Sequence, residues 1–99
     1  MRVVGTRSGA DGELRQRQIK RMRDGEPVSL IREPDNRYDR SAIAVYHRSG
    51  QQLGYLKESR ARHLAAGLDA GRMLEARAWV MGDADAYLVG LRLRIREIG

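Results

Sequence analysis

Leu74-Glu75-Ala76-Arg77-Ala78-Trp79-Val80-Met81 is the stretch that decides the fold. Leu74, Ala76, Ala78 and Val80 alternate with Glu75, Arg77, Trp79 and Met81. A side-chain period of two sends successive residues to opposite faces, so the pattern reads as a strand. After the turn residues Gly82-Asp83-Ala84-Asp85 the pattern resumes. Tyr87, Val89, Leu91, Leu93 and Ile95 share one face of a last strand, and Arg92, Arg94 and Arg96 form a row on the other. No other part of the chain carries so strong a β signal.

The segments before it are shorter. Glu58 or Ser59 opens a helix that runs to about Ala70 and stops at Gly71, with Leu64, Leu68 and the alanines as its apolar face. Gln52–Leu56 reads as a strand in which Gly54 marks a bulge or a close approach. The hairpin turn Arg48–Gln51 joins it to a strand where Ile43, Val45 and His47 alternate with Ala42, Ala44 and Tyr46, one face being buried. Glu26–Ile31 is another strand, with Pro27 near its start, where a missing donor does least harm. Glu13–Arg23 reads as a surface helix with a thin stripe of Leu14, Ile19 and Met22, capped by Asp11 and stopped by Asp24-Gly25. Arg2–Thr6 opens the chain as a strand.

Many short strands with two short helices predict a mainly β fold with some α+β content: a small OB-like β-barrel of about six strands. Parallel α/β winding would need a regular strand–helix alternation, which this chain lacks. At 99 residues the expectation is one domain spanning residues 1–99.

Composition narrows the function. The chain has no Cys, which excludes disulfides, thiolate chemistry and cysteine-ligated zinc. Only His47 and His63 are available as imidazole ligands, so no metal site and no cofactor is expected. No apolar run approaches membrane-spanning length and no secretory signal is apparent, so the expected location is cytoplasmic. With no Phe and one Trp, the core must be aliphatic, with Tyr at its edges. The formal net charge is +6, and Lys20 and Lys57 are the only lysines. Arginine offers a planar fork for phosphate and a face for stacking on bases. Codon usage in a GC-rich genome also produces arginine, so position must decide.

Position points to Arg32-Glu33-Pro34-Asp35-Asn36-Arg37-Tyr38-Asp39-Arg40-Ser41, a polar loop running straight into an apolar strand. It combines an amide, an aromatic ring, a carboxylate and three arginines. That mixture reads a base edge, stacks on a base and holds a phosphate. Asn36 and Asp39 equally suit a plainer role, bonding nearby backbone to hold a turn.

These residues carry a resemblance. Val3-Val4-Gly5-Thr6-Arg7, the run from Arg32 to Val45, and Leu53-Gly54-Tyr55-Leu56 together resemble a HIRAN domain over nearly the whole chain. The resemblance implies a modified OB-fold. It also implies a non-catalytic module that binds single-stranded DNA, captures its 3′-hydroxyl end and serves DNA repair or replication. By position, Arg7 is expected on the DNA backbone, Asn36 on the terminal nucleotide, Tyr38 stacked on the end base and Asp39 on the 3′-hydroxyl. Tyr87 is expected to line the same pocket, with Tyr55 and Lys57 near the phosphates. Arg37 and Arg40 add phosphate donors.

Two positions depart from the pattern. Ser8 stands where DNA-binding members carry an aromatic, which removes one wall of the base sandwich. A ring is worth roughly 1–3 kcal/mol per base, so affinity would be about ten- to a hundredfold lower. Arg37 replaces the proline common between the amide and the aromatic.

The expected partner is single-stranded DNA met by a monomer, with no membrane. A protein partner such as a helicase or nuclease is the other expectation. The rival function is a protein-interaction module that kept the fold and lost the DNA-end pocket. Outside the loop, the cluster Arg15, Arg17, Lys20, Arg21 and Arg23 reads as a solvated helix face. Arg92, Arg94 and Arg96 read the same way, as guards against edge pairing. Trp79 is expected under a helix, and Asp83 with Asp85 is a weak candidate cation pair.

Overall fold

The computed structural model describes residues 1–82 and 86–98. Eight elements follow in order: β1 (Val3–Val4), α1 (Gly12–Lys20), β2 (Glu26–Arg32), β3 (Ile43–Tyr46), β4 (Gln52–Leu56), α2 (Glu58–Asp69), β5 (Met73–Met81) and β6 (Gly90–Ile98). The strands form one sheet in the order β1-β4-β3-β2-β5-β6, and every pair is antiparallel. The sheet curls until its edges meet. Arg2 bridges Arg92, and the Leu93 N–H donates to the Met1 carbonyl at 2.6 Å. The result is the expected small, partly open barrel with two helices.

β5 and β6 pair over nine residues each, from Met73↔Ile98 to Met81↔Gly90. Their inner residues Ala76, Ala78, Leu91 and Leu93 are buried, as the alternation requires. β6 starts at Gly90, so Tyr87 falls outside the strand the sequence assigned to it. The predicted turn at Asp83 and Asp85, with its cation pair, lies outside the described residues.

β3 departs from the one-face expectation. Ile43, Ala44 and Val45 are all fully buried. Ala44 sits opposite both Ile31 and Tyr55, and the larger neighbours cover its short side chain on the outer face. Gly54 is a close-approach point, next to a bulge at Leu53. The β3–β4 register shifts between Val45 and Tyr46, and a Cβ on Gly54 would run into the Val4 carbonyl and the Val3 side chain.

Helix α1 corrects the sequence reading most. It ends at Lys20, and Leu14 points to solvent at 50% exposure, while Gln16 is buried. Ile19 is fully enclosed and joins the core with Met22. Asp11 occupies the N-cap position, but its side chain makes no capping bond; only its carbonyl accepts, from the Arg15 N–H at 2.9 Å. Nor is Arg15 part of a solvated face. Its guanidinium donates to the Gly5 carbonyl at 2.7 Å and to Gln52 Oε1 at 2.6 Å, tying α1 to β1 and β4. Helix α2 presents Ala61 and Ala65 to the core, small enough for close approach to the sheet. No helix among the described residues is long and apolar enough to cross a membrane.

The start of β2 is fixed by charge. Glu26 accepts from His47 Nε2 at 2.8 Å and from the Arg23 N–H at 3.0 Å, with Arg48 at 3.7 Å. The His47 bond, then the Arg23 amide, holds the Glu26 carboxyl below its ordinary range against the opposing effect of burial. A depressed folded-state pKa contributes stability that is present above the unfolded value, about 4.3, and is lost as pH falls through the folded one. Glu26→Gln should therefore lower the urea midpoint at about pH 5, and the gap to wild type should close in more acid solution. A gap that widens toward acid would contradict this account of β2.

Candidate nucleic-acid interface

Residues 33–42 join β2 to β3 and brace themselves. The Glu33 N–H donates to the Ala42 carbonyl at 3.0 Å, closing the loop at its base. Asn36 Oδ1 accepts from the Tyr38 N–H at 2.9 Å and the Asp39 N–H at 3.0 Å, an Asx-type turn. Asn36 Nδ2 donates to Glu33 Oε1 at 3.0 Å, and the Tyr55 hydroxyl donates to the same oxygen at 3.0 Å. Asp39 Oδ1 accepts from the Ser41 N–H at 2.9 Å. Asn36 and Asp39 thus hold the turn, the plainer of their two roles, and Asn36 spends both ends of its amide on it.

That bracing leaves specific groups outward. The Tyr38 ring is 91% exposed, so it covers nothing in the barrel. Arg37 and Arg40 are exposed on either side, and their side chains make no hydrogen bond or ion pair among the described residues. Asp39 keeps Oδ2 free of such bonds as well. Pro34 to Arg40 line an open concavity of about 690 Å³. Arg32, by contrast, is structural. It clasps Asp69 of α2 at 2.9 and 3.2 Å and donates to the Ala42 carbonyl at 2.9 Å.

The other expected site residues lie elsewhere. Arg7 and Tyr87 share a second groove with Arg17 and Lys20 on α1, about 490 Å³ in volume. Tyr87 is 88% exposed, and its carbonyl accepts from Lys20 Nζ at 3.0 Å. Arg7 and Tyr87 thus line a groove beside α1, while Pro34 to Arg40 line the concavity at the loop. The register sets the direction in which the chain leaves β1. Val3 pairs with Leu56 and Val4 with Tyr55, so the chain beyond Val4 heads toward Gln52 and the β3–β4 hairpin, away from the β2–β3 connection. Tyr55 belongs to the loop site through Glu33. Lys57 is exposed at the N-cap of α2, and its side chain caps nothing.

The HIRAN domain family model matches residues 1–97, nearly the entire chain. The chain belongs to the HIRAN family. This HIRAN domain superposes on the crystal structure of the HIRAN domain of human HLTF with a TM-score of 0.65 and 30% identity, covering 95% of this chain and 70% of that one. It superposes on a protein from Lactobacillus plantarum with a TM-score of 0.74 and 30% identity, covering 93% of this chain and 85% of that one. A stretch of 46 residues is 48% identical to the helicase-like transcription factor of Oryctolagus cuniculus; it makes up 46% of this chain and 5% of that protein.

Two residues that organise the HIRAN domain's surfaces escaped the sequence reading. Glu33 gathers Asn36 and Tyr55 on one oxygen, although the loop's composition drew notice to its amide, ring and arginines instead. Gln16 is buried in α1, where Nε2 donates to the carbonyls of Thr6 at 3.1 Å and Val89 at 2.9 Å, and Oε1 accepts from the Val89 N–H at 2.8 Å. It fixes the chain on both sides of the Arg7–Tyr87 groove. A glutamine between arginines gives no apolar signal, so only the fold reveals it.

Proposed function

We propose that this HIRAN domain is a non-catalytic binding module for single-stranded DNA, acting in DNA repair or replication. One observation carries the reading: a fully presented Tyr38 ring on a self-braced loop, flanked by the unengaged guanidiniums of Arg37 and Arg40. A ring held in water by a rigid turn costs solvation without adding to the core. Stacking on a base recovers that surface, and the paired arginines neutralise the adjoining phosphates. Kinship with a helicase-like transcription factor supports a nucleic-acid partner.

In this reading Asp39 recognises the strand's 3′-hydroxyl through Oδ2, which its bond to Ser41 does not use. Asn36 shapes the loop through Oδ1 and one Nδ2 hydrogen, and its second Nδ2 hydrogen serves the terminal nucleotide. Arg7, Lys57 and Tyr87 serve a longer strand outside the loop concavity.

Fluorescence anisotropy with matched 3′-hydroxyl and 3′-phosphate oligonucleotides at two salt concentrations tests this. Tyr38→Ala should weaken binding about ten- to a hundredfold, the worth of one stacked base. A 3′-phosphate should weaken it as well, by repulsion from Asp39. Equal affinity for both ends would remove the end-recognition role, and no binding at low salt would remove the whole reading.

Ser8 favours the rival, a protein-interaction module, because it offers no second ring. A Tyr38→Ala/Asp39→Ala double variant separates the two. A protein partner that still binds this variant, in a protein with no DNA affinity, would favour the rival.

A further inference from the structure

The outer face of β5 and β6 is charged in a way the fold does not require. Cross-strand partners in an antiparallel sheet share a face, so the register lays out a lattice. Arg92 faces Trp79 on one side and Arg2 of the β1 edge on the other. Arg94 faces Arg77, and Arg96 faces Glu75. Five arginines thus surround one indole and one carboxylate. Two of the directly opposed pairs, Arg2↔Arg92 and Arg77↔Arg94, are like-charged, an arrangement that destabilises a sheet. Edge guarding accounts for arginines on β6, the last strand of the sheet, but not for Arg77 on β5, which is paired on both sides.

The groups on this face divide by what they do. Glu75 accepts from Arg77 Nε and Arg96 Nε, each at 2.8 Å, and those bonds, that from Arg96 foremost, hold its carboxyl below the usual range. Arg77 also donates to the Gly25 carbonyl at 2.9 Å. Arg77 and Arg96 are therefore anchored. Arg92 and Arg2 make no side-chain hydrogen bond or ion pair among the described residues, and Arg94 lies over the Trp79 ring at 5.3 Å from its centroid. Trp79, expected beneath a helix, instead sits between two shallow hollows lined by these arginines. Alternate residues along a strand are about 6.8 Å apart, close to the spacing of consecutive phosphates in an extended strand.

We infer that this face is a second single-strand-binding surface, where Arg2, Arg92 and Arg94 take consecutive phosphates and the Trp79–Arg94 stack supports a base. The inference rests on the reading that the domain binds single-stranded DNA and extends that footprint beyond the loop. Single-stranded DNA is favoured over duplex because a duplex hides its base faces in its own stack, leaving the indole–guanidinium platform unused. Arginine rather than lysine at every position fits bidentate phosphate contact.

The test uses single-stranded oligonucleotides of about four and about sixteen nucleotides, the span of OB-type site sizes. Arg92→Ala/Arg94→Ala should weaken the long strand roughly tenfold at low salt and leave the short strand unchanged. The slope of log K against log salt for the long strand should shrink by about 1.4, for two lost phosphate contacts. Glu75→Gln should tighten the long strand by freeing Arg77 and Arg96. The chain has one Trp, so intrinsic fluorescence reports on this face directly, and the long strand should quench it in wild type and in Tyr38→Ala alike. Unchanged long-strand affinity and slope in the double variant would overturn the inference, as would an equal loss for the short strand or a loss confined to duplex. The loop reading fails separately, if Tyr38→Ala leaves short-strand binding intact. A wild-type protein that binds no single strand would overturn both.

Discussion

Gly54→Ala should lower the stability of this domain by on the order of 3–6 kcal/mol, from strain at a glycine-type backbone together with overpacking. Gly54 has φ +150°, and its missing Cβ is the space into which the Val4 carbonyl and the Val3 side chain fit. The obstacle is backbone, which cannot swing aside as the end of a flexible side chain can. Only a shift of β1 relieves it, and β1 has just two strand residues with which to hold its place. Domains of this size have about 5–15 kcal/mol in total, so the variant loses a large fraction of its stability and should unfold at a markedly lower urea concentration. Hydrogen exchange should show Val3 and Val4 losing protection first. A urea midpoint within error of wild type would mean that β1 does not approach Gly54 as described.

Gln16→Leu should cost on the order of 3–5 kcal/mol, although it adds apolar surface to a buried position, because each unsatisfied buried partner costs about 1–3 kcal/mol. Three backbone groups lose their partner at once: the carbonyls of Thr6 and Val89 and the N–H of Val89. The same substitution should release the segment around Tyr87 and weaken any ligand that uses the Arg7–Tyr87 groove, while the 33–42 loop keeps its shape. Thermal unfolding read beside oligonucleotide titrations distinguishes the two effects. Leu14→Ala on the same helix is the control; with Leu14 half exposed, it should change stability far less.

The two helices show why local pattern succeeds in one place and fails in another. In α2 the alanines and leucines recur at helical spacing, and Ala61 and Ala65 do face the core. In α1 a glutamine is buried alongside Ile19, and a leucine is exposed. Burial there is set by what lies opposite, two loose backbone segments needing partners, and no periodicity records that need. Trp79 is similar. Its place on the outer face follows from alternation, but its guanidinium partner Arg94 comes from β6, through a register fixed across the whole pair.

The amino-acid sequence alone determined that the chain makes many short strands with two helices, because alternation, turn residues and helix stops are local and act within a few residues. It also determined the family, through runs of residues from near Val3 to Leu56 in a fixed order, and it marked the 33–42 loop as the chemical centre by its composition. Only the tertiary structure decided which of those side chains are free to act. Asn36 holds its own loop, Arg15 and Arg32 are spent on holding elements together, and Tyr38, Arg37 and Arg40 remain outward. It alone put Arg7 and Tyr87 in a groove beside α1, and it alone gathered Arg2, Trp79, Arg92 and Arg94 on one face. The physical reason is the same in each case: hydrogen-bond partners and cross-strand neighbours are chosen by register and closure of the sheet, over sequence separations that local pattern does not reach.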